Sequence, residues 1–243
     1  MKNPLPDQTV FAAIEEIVHL NYHAAIVPRV PAEARRVLDL GCGSGSLGSA
    51  IKERLPLCEV IGITISPGEG RECAKRLDHV LVKDLHEYDF RELGDFDCVI
   101  CSGILGYFMQ PEHLLTKAAD CLRQREGTLI VMHPNILKLP QRIDFLRGRF
   151  HYASGSVLDK FSVRFFDYNS IYTLVQGSGF VIEERTGEGH FPLLGVRRLL
   201  GPLASSIDRI AVRLNPGLFA DEAILVGHPS PSVRSNHTIA AHL

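Results

Sequence analysis

The sequence predicts an α/β fold: one domain built on a doubly wound, mostly parallel sheet of seven strands. Three observations carry this. Short apolar runs alternate with stretches of helical spacing across residues 36–135, the pattern of strands joined by crossover helices. The first run, Val37-Leu38-Asp39-Leu40, stops at three glycines in alternate positions, Gly41, Gly43 and Gly45, and leads into Leu47, Ala50, Ile51 and Leu55 at helical spacing. The chain has 243 residues, 45% hydrophobic and 22% charged, which suffices for one large core.

The elements follow in order. Asp7 is placed to cap a helix with Val10, Phe11, Ile14, Ile17 and Val18 on one face, ending before Pro28. That helix packs on the sheet, or lies as a lid with Tyr22 or His23 reaching inward; the two readings are compatible. Strand one is Arg36 to Leu40, followed by the glycine turn and a helix to about Arg54. Strand two is Val60 to Ile65, and Pro67 suits the first position of a helix that runs from about Glu69 to Leu77. Strands three and four are Val80 to Lys83 and Phe96 to Cys101. Pro111 to Arg123 is amphipathic, and Thr128 to Met132 is strand five. After Asn135 the regularity fades, and residues 136–165, with Arg142, Arg147, Arg149 and Arg164, read as an insertion over the mouth of a crevice. A helix at Ser170 to Gln176 precedes a sixth strand, Phe180 to Glu184. Residues 191–219 are rich in Leu and Arg and broken at Pro202 and Pro216; Ala223 to Gly227 is the last strand. The expected division is 1–30, an N-terminal helix; 36–135, the core; 136–220, a cap with the sixth strand; 223–228, the last strand; and 229–243, a mobile tail.

Composition narrows the function. The formal net charge of −2 leaves no basic field to collect nucleic acid. The six cysteines lack zinc-type pairing, and Cys98 and Cys101 fall inside a predicted buried strand, so they read as reduced core residues. No signal peptide and no apolar run of membrane-spanning length is seen, so a cytoplasmic protein without a metal site is the expectation.

Ligands of such sheets sit beyond the carboxyl ends of the strands. That rule nominates Asp39 to Gly45, Thr64, Asp84 and Leu85, Cys101 and Ser102 through Tyr107, and His133. Gly43 to Gly48 formally matches the dinucleotide pattern, but that reading wants an acid at the end of strand two, where Thr64 stands. Asp39, inside an apolar run, also needs a purpose.

The string Val37 to Gly45 instead resembles motif I of the class I S-adenosylmethionine-dependent methyltransferases. The resemblance implies that Asp39, Gly41, Gly43 and Gly45 hold the methionine end of that cofactor. Val60 to Pro67 is similar to the second motif, with Thr64 near the ribose and Glu69 as a substitute acid; a Thr-x-Ser form also resembles the cyclopropane synthases, which alkylate lipid chains. Lys83-Asp84-Leu85 resembles the adenine-binding turn, and Cys101 and Ser102 open the stretch that lines the transfer site. Many small-molecule members carry Glu-His where Gly106-Tyr107 stands. The strings of amino- and C5-methylating nucleic-acid enzymes are absent. Pro134-Asn135, Arg147 to Tyr152, Leu158-Asp159, Arg164 to Phe166 and Gly179-Phe180 resemble a bacterial subgroup associated with polysaccharide and natural-product biosynthesis, with Ser162 and Asp167 where that subgroup usually has His and Thr.

The implied reaction is in-line methyl transfer to a small-molecule acceptor, most simply a hydroxyl or carboxylate oxygen, with general-base help. His133 is the first base candidate, then Tyr107 and His151. Arg147, Arg149 and Arg164 are candidates for an anionic or lipid-linked acceptor. Residues 191–219 are read as a helix over the cleft or a homodimer surface in preference to a membrane contact. Nitrogen or carbon acceptors, including lipid chains, a non-catalytic binding domain, and a nicotinamide oxidoreductase stay open as alternatives.

Overall fold

The computed structural model describes residues 24–153, 156–193 and 197–231. The apolar runs form strands β1 (Arg36–Leu40), β2 (Glu59–Thr64), β3 (His79–Val82), β4 (Cys98–Ser102), β5 (Thr128–Pro134), β6 (Phe180–Gly189) and β7 (Ala220–Pro229). They make one sheet in the order β3-β2-β1-β4-β5-β7-β6. β1 to β5 pair in parallel, and β7 runs antiparallel to both β5 and β6. The chain winds outward from β1 through β2 to β3, then returns to β4 on the other flank. The crevice of such a sheet opens between β1 and β4, where the direction of winding changes.

β1 explains the arrangement. Alternate side chains point to opposite faces. Leu38 and Leu40 enter one core with Val99, Leu115 and Val131, while Val37 enters the other with Ile51, Val60 and Ile100. Both faces are covered, so the run has no polar alternation. Helices α1 (Ser46–Arg54) and α2 (Pro67–Cys73) follow β1 and β2, and α3 (Pro111–Leu122) buries Leu114, Leu115, Ala118 and Leu122. Burial of each such leucine contributes roughly 1.5–3 kcal/mol.

Several expected bounds move. α2 starts at Pro67 and ends at Cys73, where the chain tightens and Leu77 N–H donates to the Cys73 carbonyl. β6 extends to Gly189 where the sequence predicts an end at Glu184. Its far half lacks strand-forming residues because β7 leaves no space there: a Cβ at Gly187 would stand 2.8 Å from the Glu222 carbonyl oxygen. The insertion contains a helix, α4 (Leu139–Leu146), that the sequence analysis did not assign; it is only 8 residues long and buries no residue. α5 (Ser170–Gly177) is as expected. Residues 197–219 form α6 (Arg197–Leu200), α7 (Pro202–Leu214) and α8 (Pro216–Phe219), in which Pro202 and Pro216 begin helices. The predicted N-terminal helix up to residue 23, with Tyr22 and His23, and the tail from residue 232 lie outside the described residues.

Candidate cofactor and acceptor site

The glycine turn is shaped for close approach. Gly41, Gly43 and Gly45 have φ of 77°, 53° and 79°, a region that side chains disfavour. A Cβ at Gly41 would stand 2.7 Å from Ile104 Cδ1. Gly41 and Cys42 N–H groups both donate to the Ile63 carbonyl, which ties the turn to the end of β2. Arg76, which the sequence did not signal, holds the other side by donating to the Ser44 carbonyl at 2.7 Å.

Asp39 lies beneath this turn. It is 2% exposed, and its Oδ2 has no hydrogen-bond partner. Burial pushes its carboxyl up to about 7. A buried carboxylate without a partner costs free energy unless a cation meets it. The orphaned oxygen therefore fits a ligand that brings a positive charge, as the amino group of the methionine end does.

Thr64 ends β2 as expected, and the missing acid comes from α2. Thr64 Oγ1 donates to Glu69 Oε2 at 2.9 Å, and both residues are buried. Ser66 caps α2 by accepting from Glu69 N–H, which places the carboxylate next to the strand end. Beyond β3, Asp84 Oδ1 accepts from His86 N–H at 2.9 Å and pairs with His86 Nδ1 at 2.8 Å. The imidazole holds the Asp84 carboxyl below its usual range. His86 in turn stacks on Phe108, with ring centroids 4.3 Å apart. The only hint of His86 in the sequence is its place two residues after a turn-forming aspartate. Leu85 and Cys101 are packed in the core, and the Cys101 thiol is pushed up to about 12 by burial, with Asp39 adding to it. Their side chains serve packing. Ser102 is half-buried at the end of β4.

On the acceptor side a cavity of about 30 Å³, room for one water, is lined by Gly103, Tyr107, His133, Asp159, Arg164 and Phe166 among others. His133 ends β5 and is buried. Its Nδ1 lies 3.1 Å from the Pro134 carbonyl oxygen, which can only accept, so Nδ1 carries the proton and Nε2 the lone pair. Burial moves the imidazole below its usual value, so it is neutral near pH 7. The Tyr107 phenol is pushed up to about 12 by burial, with Asp159 and Glu69 adding to it, which rules it out as a base near neutrality. His151 is exposed on the loop after α4 and is not among the cavity-lining residues. Arg164 lines the cavity but pairs with Glu112 at 2.9 Å; Arg147 and Arg149 are exposed outside it. Among the described residues, none of 191–219 lines the cavity: α7 packs against β6 at the edge of the sheet. The six cysteines are free and buried.

Residues 38–129, from β1 to β5, match the model of a family described as a methyltransferase domain. That stretch is similar to a methyltransferase domain across the strands that carry the glycine turn. The chain is 30% identical over 118 residues to a trans-aconitate 2-methyltransferase of Methylobacterium nodulans, which covers 48% of this chain and 45% of that protein. It is 28% identical over 76 residues to a tRNA adenine-N6-methyltransferase of Yersinia pestis, across 28% of this chain and 31% of that protein. The chain thus spans less than half the length of these curated relatives. Among solved structures, a SAM-dependent methyltransferase from Archaeoglobus fulgidus superposes with a TM-score of 0.60 at 18% identity, over 91% of this chain and 93% of that one. An O-methyltransferase of a Brevibacillus brevis polyketide enzyme in complex with S-adenosyl-L-homocysteine gives 0.51 at 15%, over 83% and 68%. The fold is that of the class I methyltransferases.

Proposed function

We propose that this protein transfers the methyl group of S-adenosylmethionine to an oxygen of a small-molecule acceptor. The observation that carries this is Asp39, a buried carboxylate with an orphaned oxygen beneath a glycine turn that excludes side chains. When bound, the cofactor supplies a methyl group already activated by its sulfonium.

The residues of the chain do the rest. Asp39 receives the cationic amino group, which removes the cost of its burial. Glu69, oriented by Thr64, accepts from the ribose hydroxyls, and Asp84 with the Leu85 N–H holds the adenine. Alignment of acceptor and methyl is the main demand of such a transfer, and the enclosed cavity supplies it. His133 lines that cavity with the lone pair on Nε2, and takes the proton of the acceptor hydroxyl. Tyr107 keeps its proton and donates to the acceptor. The name of the Methylobacterium nodulans relative, which specifies trans-aconitate, supports a small acceptor.

The test is transfer of a labelled methyl group from S-adenosylmethionine into fractionated cell extract, with Asp39→Ala and His133→Ala proteins in parallel. Label in a small-molecule fraction, absent with both variants, is the expected result. Label in nucleic acid, in line with the name of the Yersinia relative, would overturn the acceptor class. Cofactor binding without transfer to any fraction would overturn the enzyme reading.

A further inference from the structure

Outside the crevice, the most unusual surface lies at the tip of the insertion. Residues 146–153 are eight consecutive exposed positions. They include Leu146 at 88%, Phe150 at 50% and Tyr152 at 58% exposure. Large apolar groups clustered on a surface mark a contact with something else. The tip is a built structure: Gly148 and Arg149 N–H groups donate to the carbonyls of Phe145 and Asp144, at 2.9 and 2.8 Å. Phe145 stacks on Phe150 at 5.5 Å, and Phe150 meets Tyr152 edge-on at 5.3 Å.

Charge identifies the partner. The side chains of Arg147 and Arg149 form no hydrogen bond or ion pair among the described residues, and no Asp or Glu occurs between Asp144 and Asp159. Residues 136–219 carry eleven Lys and Arg against seven Asp and Glu, while the whole chain carries 26 against 28. The tip is therefore a cationic, aromatic projection on an otherwise acidic protein. A second copy of the chain docked here by a two-fold axis would oppose arginines to arginines. Leucine and aromatic rings beside arginine suit an interface with an apolar interior and an anionic surface.

We propose that residues 146–153 dock this protein onto an anionic lipid surface, with Leu146, Phe150 and Tyr152 entering the interface and Arg147 and Arg149 meeting the headgroups. The docking does not depend on the methyl-transfer reading, and its test reads binding alone.

The chain has no tryptophan, so Phe150→Trp places a single indole at the tip. The expected result is a blue shift of its emission with vesicles of phosphatidylcholine and phosphatidylglycerol, no shift with phosphatidylcholine alone, and loss of the shift at high salt. Adding Arg147→Gln and Arg149→Gln weakens vesicle binding roughly 30-fold. Leu146→Glu abolishes it, with thermal unfolding unchanged because the residue is exposed. The proposal is overturned by no shift with anionic vesicles, by an equal shift with neutral ones, by a shift that follows protein concentration without vesicles, or by one produced by single-stranded RNA in their place.

Discussion

The Thr64 hydroxyl donates to the Glu69 carboxylate across 2.9 Å, from the last residue of β2 to the first turn of α2. The position that most class I enzymes give to an acid is thereby filled by two residues. Glu69→Gln keeps the volume and removes the charge. A charged hydrogen bond contributes about 1.5–3 kcal/mol, so cofactor affinity should fall roughly 10- to 100-fold. Thr64→Ser should retain affinity, and Thr64→Val should lose part of it. Calorimetric titration with S-adenosylhomocysteine measures all three, and wild-type affinity in Glu69→Gln would refute the pairing.

Asp39 sets a conflict between stability and binding. Its carboxyl stands at about 7 in the folded chain against 3.8 ordinarily, so the folded state holds a proton that the unfolded state releases. The ligand-free protein is therefore most stable below pH 4 with respect to this group, and loses stability as pH rises from about 4 to 7. The shift corresponds to roughly 4 kcal/mol. Asp39→Asn should raise the melting temperature of the ligand-free protein at pH 8, with the gain shrinking toward pH 4, while cofactor affinity collapses. A variant no more stable than the parent at pH 8 would mean that Asp39 has a partner in the free protein.

Much of this was legible in the sequence, for a physical reason. The strands β1, β2, β4 and β5 are largely buried on both faces, so they write continuous apolar runs. Asp39 stood out because a charge within such a run is costly. The cap was harder to read. α4 is only 8 residues long and buries nothing, so its apolar spacing is too short a run to stand out. His151 looked like a base by composition, yet it is exposed on the tip loop. His86 and Arg76 act through partners that are distant in sequence or fixed by turn geometry. Glu69, named from the sequence as the substitute for an acid at Thr64, stands beside it because Ser66 and Pro67 begin α2 directly at the strand end.

His133 predicts a pH profile. Burial disfavours its charged form and lowers its pKa from the ordinary 6.5; the Pro134 carbonyl and Glu222 offset part of this. Transfer needs the neutral ring, so kcat/KM should hold through pH 6.5 and fall only at more acid pH. Stability changes in the opposite sense to that of Asp39: this group's contribution is complete above pH 6.5 and is lost as pH falls below it. His133→Gln should lower kcat about 10²–10⁴-fold and remove the acid limb, with cofactor affinity unchanged. An acid limb that survives the substitution belongs to another group.

Gly106 accounts for the absence of the Glu-His pair that many small-molecule members carry at this point. The N–H groups of Val163 and Arg164 donate to its carbonyl at 2.9 and 3.0 Å, which lays the insertion directly on the turn before Tyr107. A Cβ here would stand 3.0 Å from the Arg164 carbonyl oxygen and 3.1 Å from His133 Nε2. Its φ is not in the left-handed region, so Gly106→Ala strains contacts and leaves the backbone unstrained. The methyl group must push His133 or the Ser162–Arg164 segment aside by a few tenths of an ångström. Overpacking of this kind costs about 1–3 kcal/mol. Displacement of the base should cost kcat roughly tenfold or more, because alignment dominates the reaction. Cofactor affinity should be unchanged, since Asp39, Glu69 and Asp84 lie elsewhere, on β1, on α2 and beyond β3. Full kcat in Gly106→Ala would show that His133 Nε2 does not act from this position.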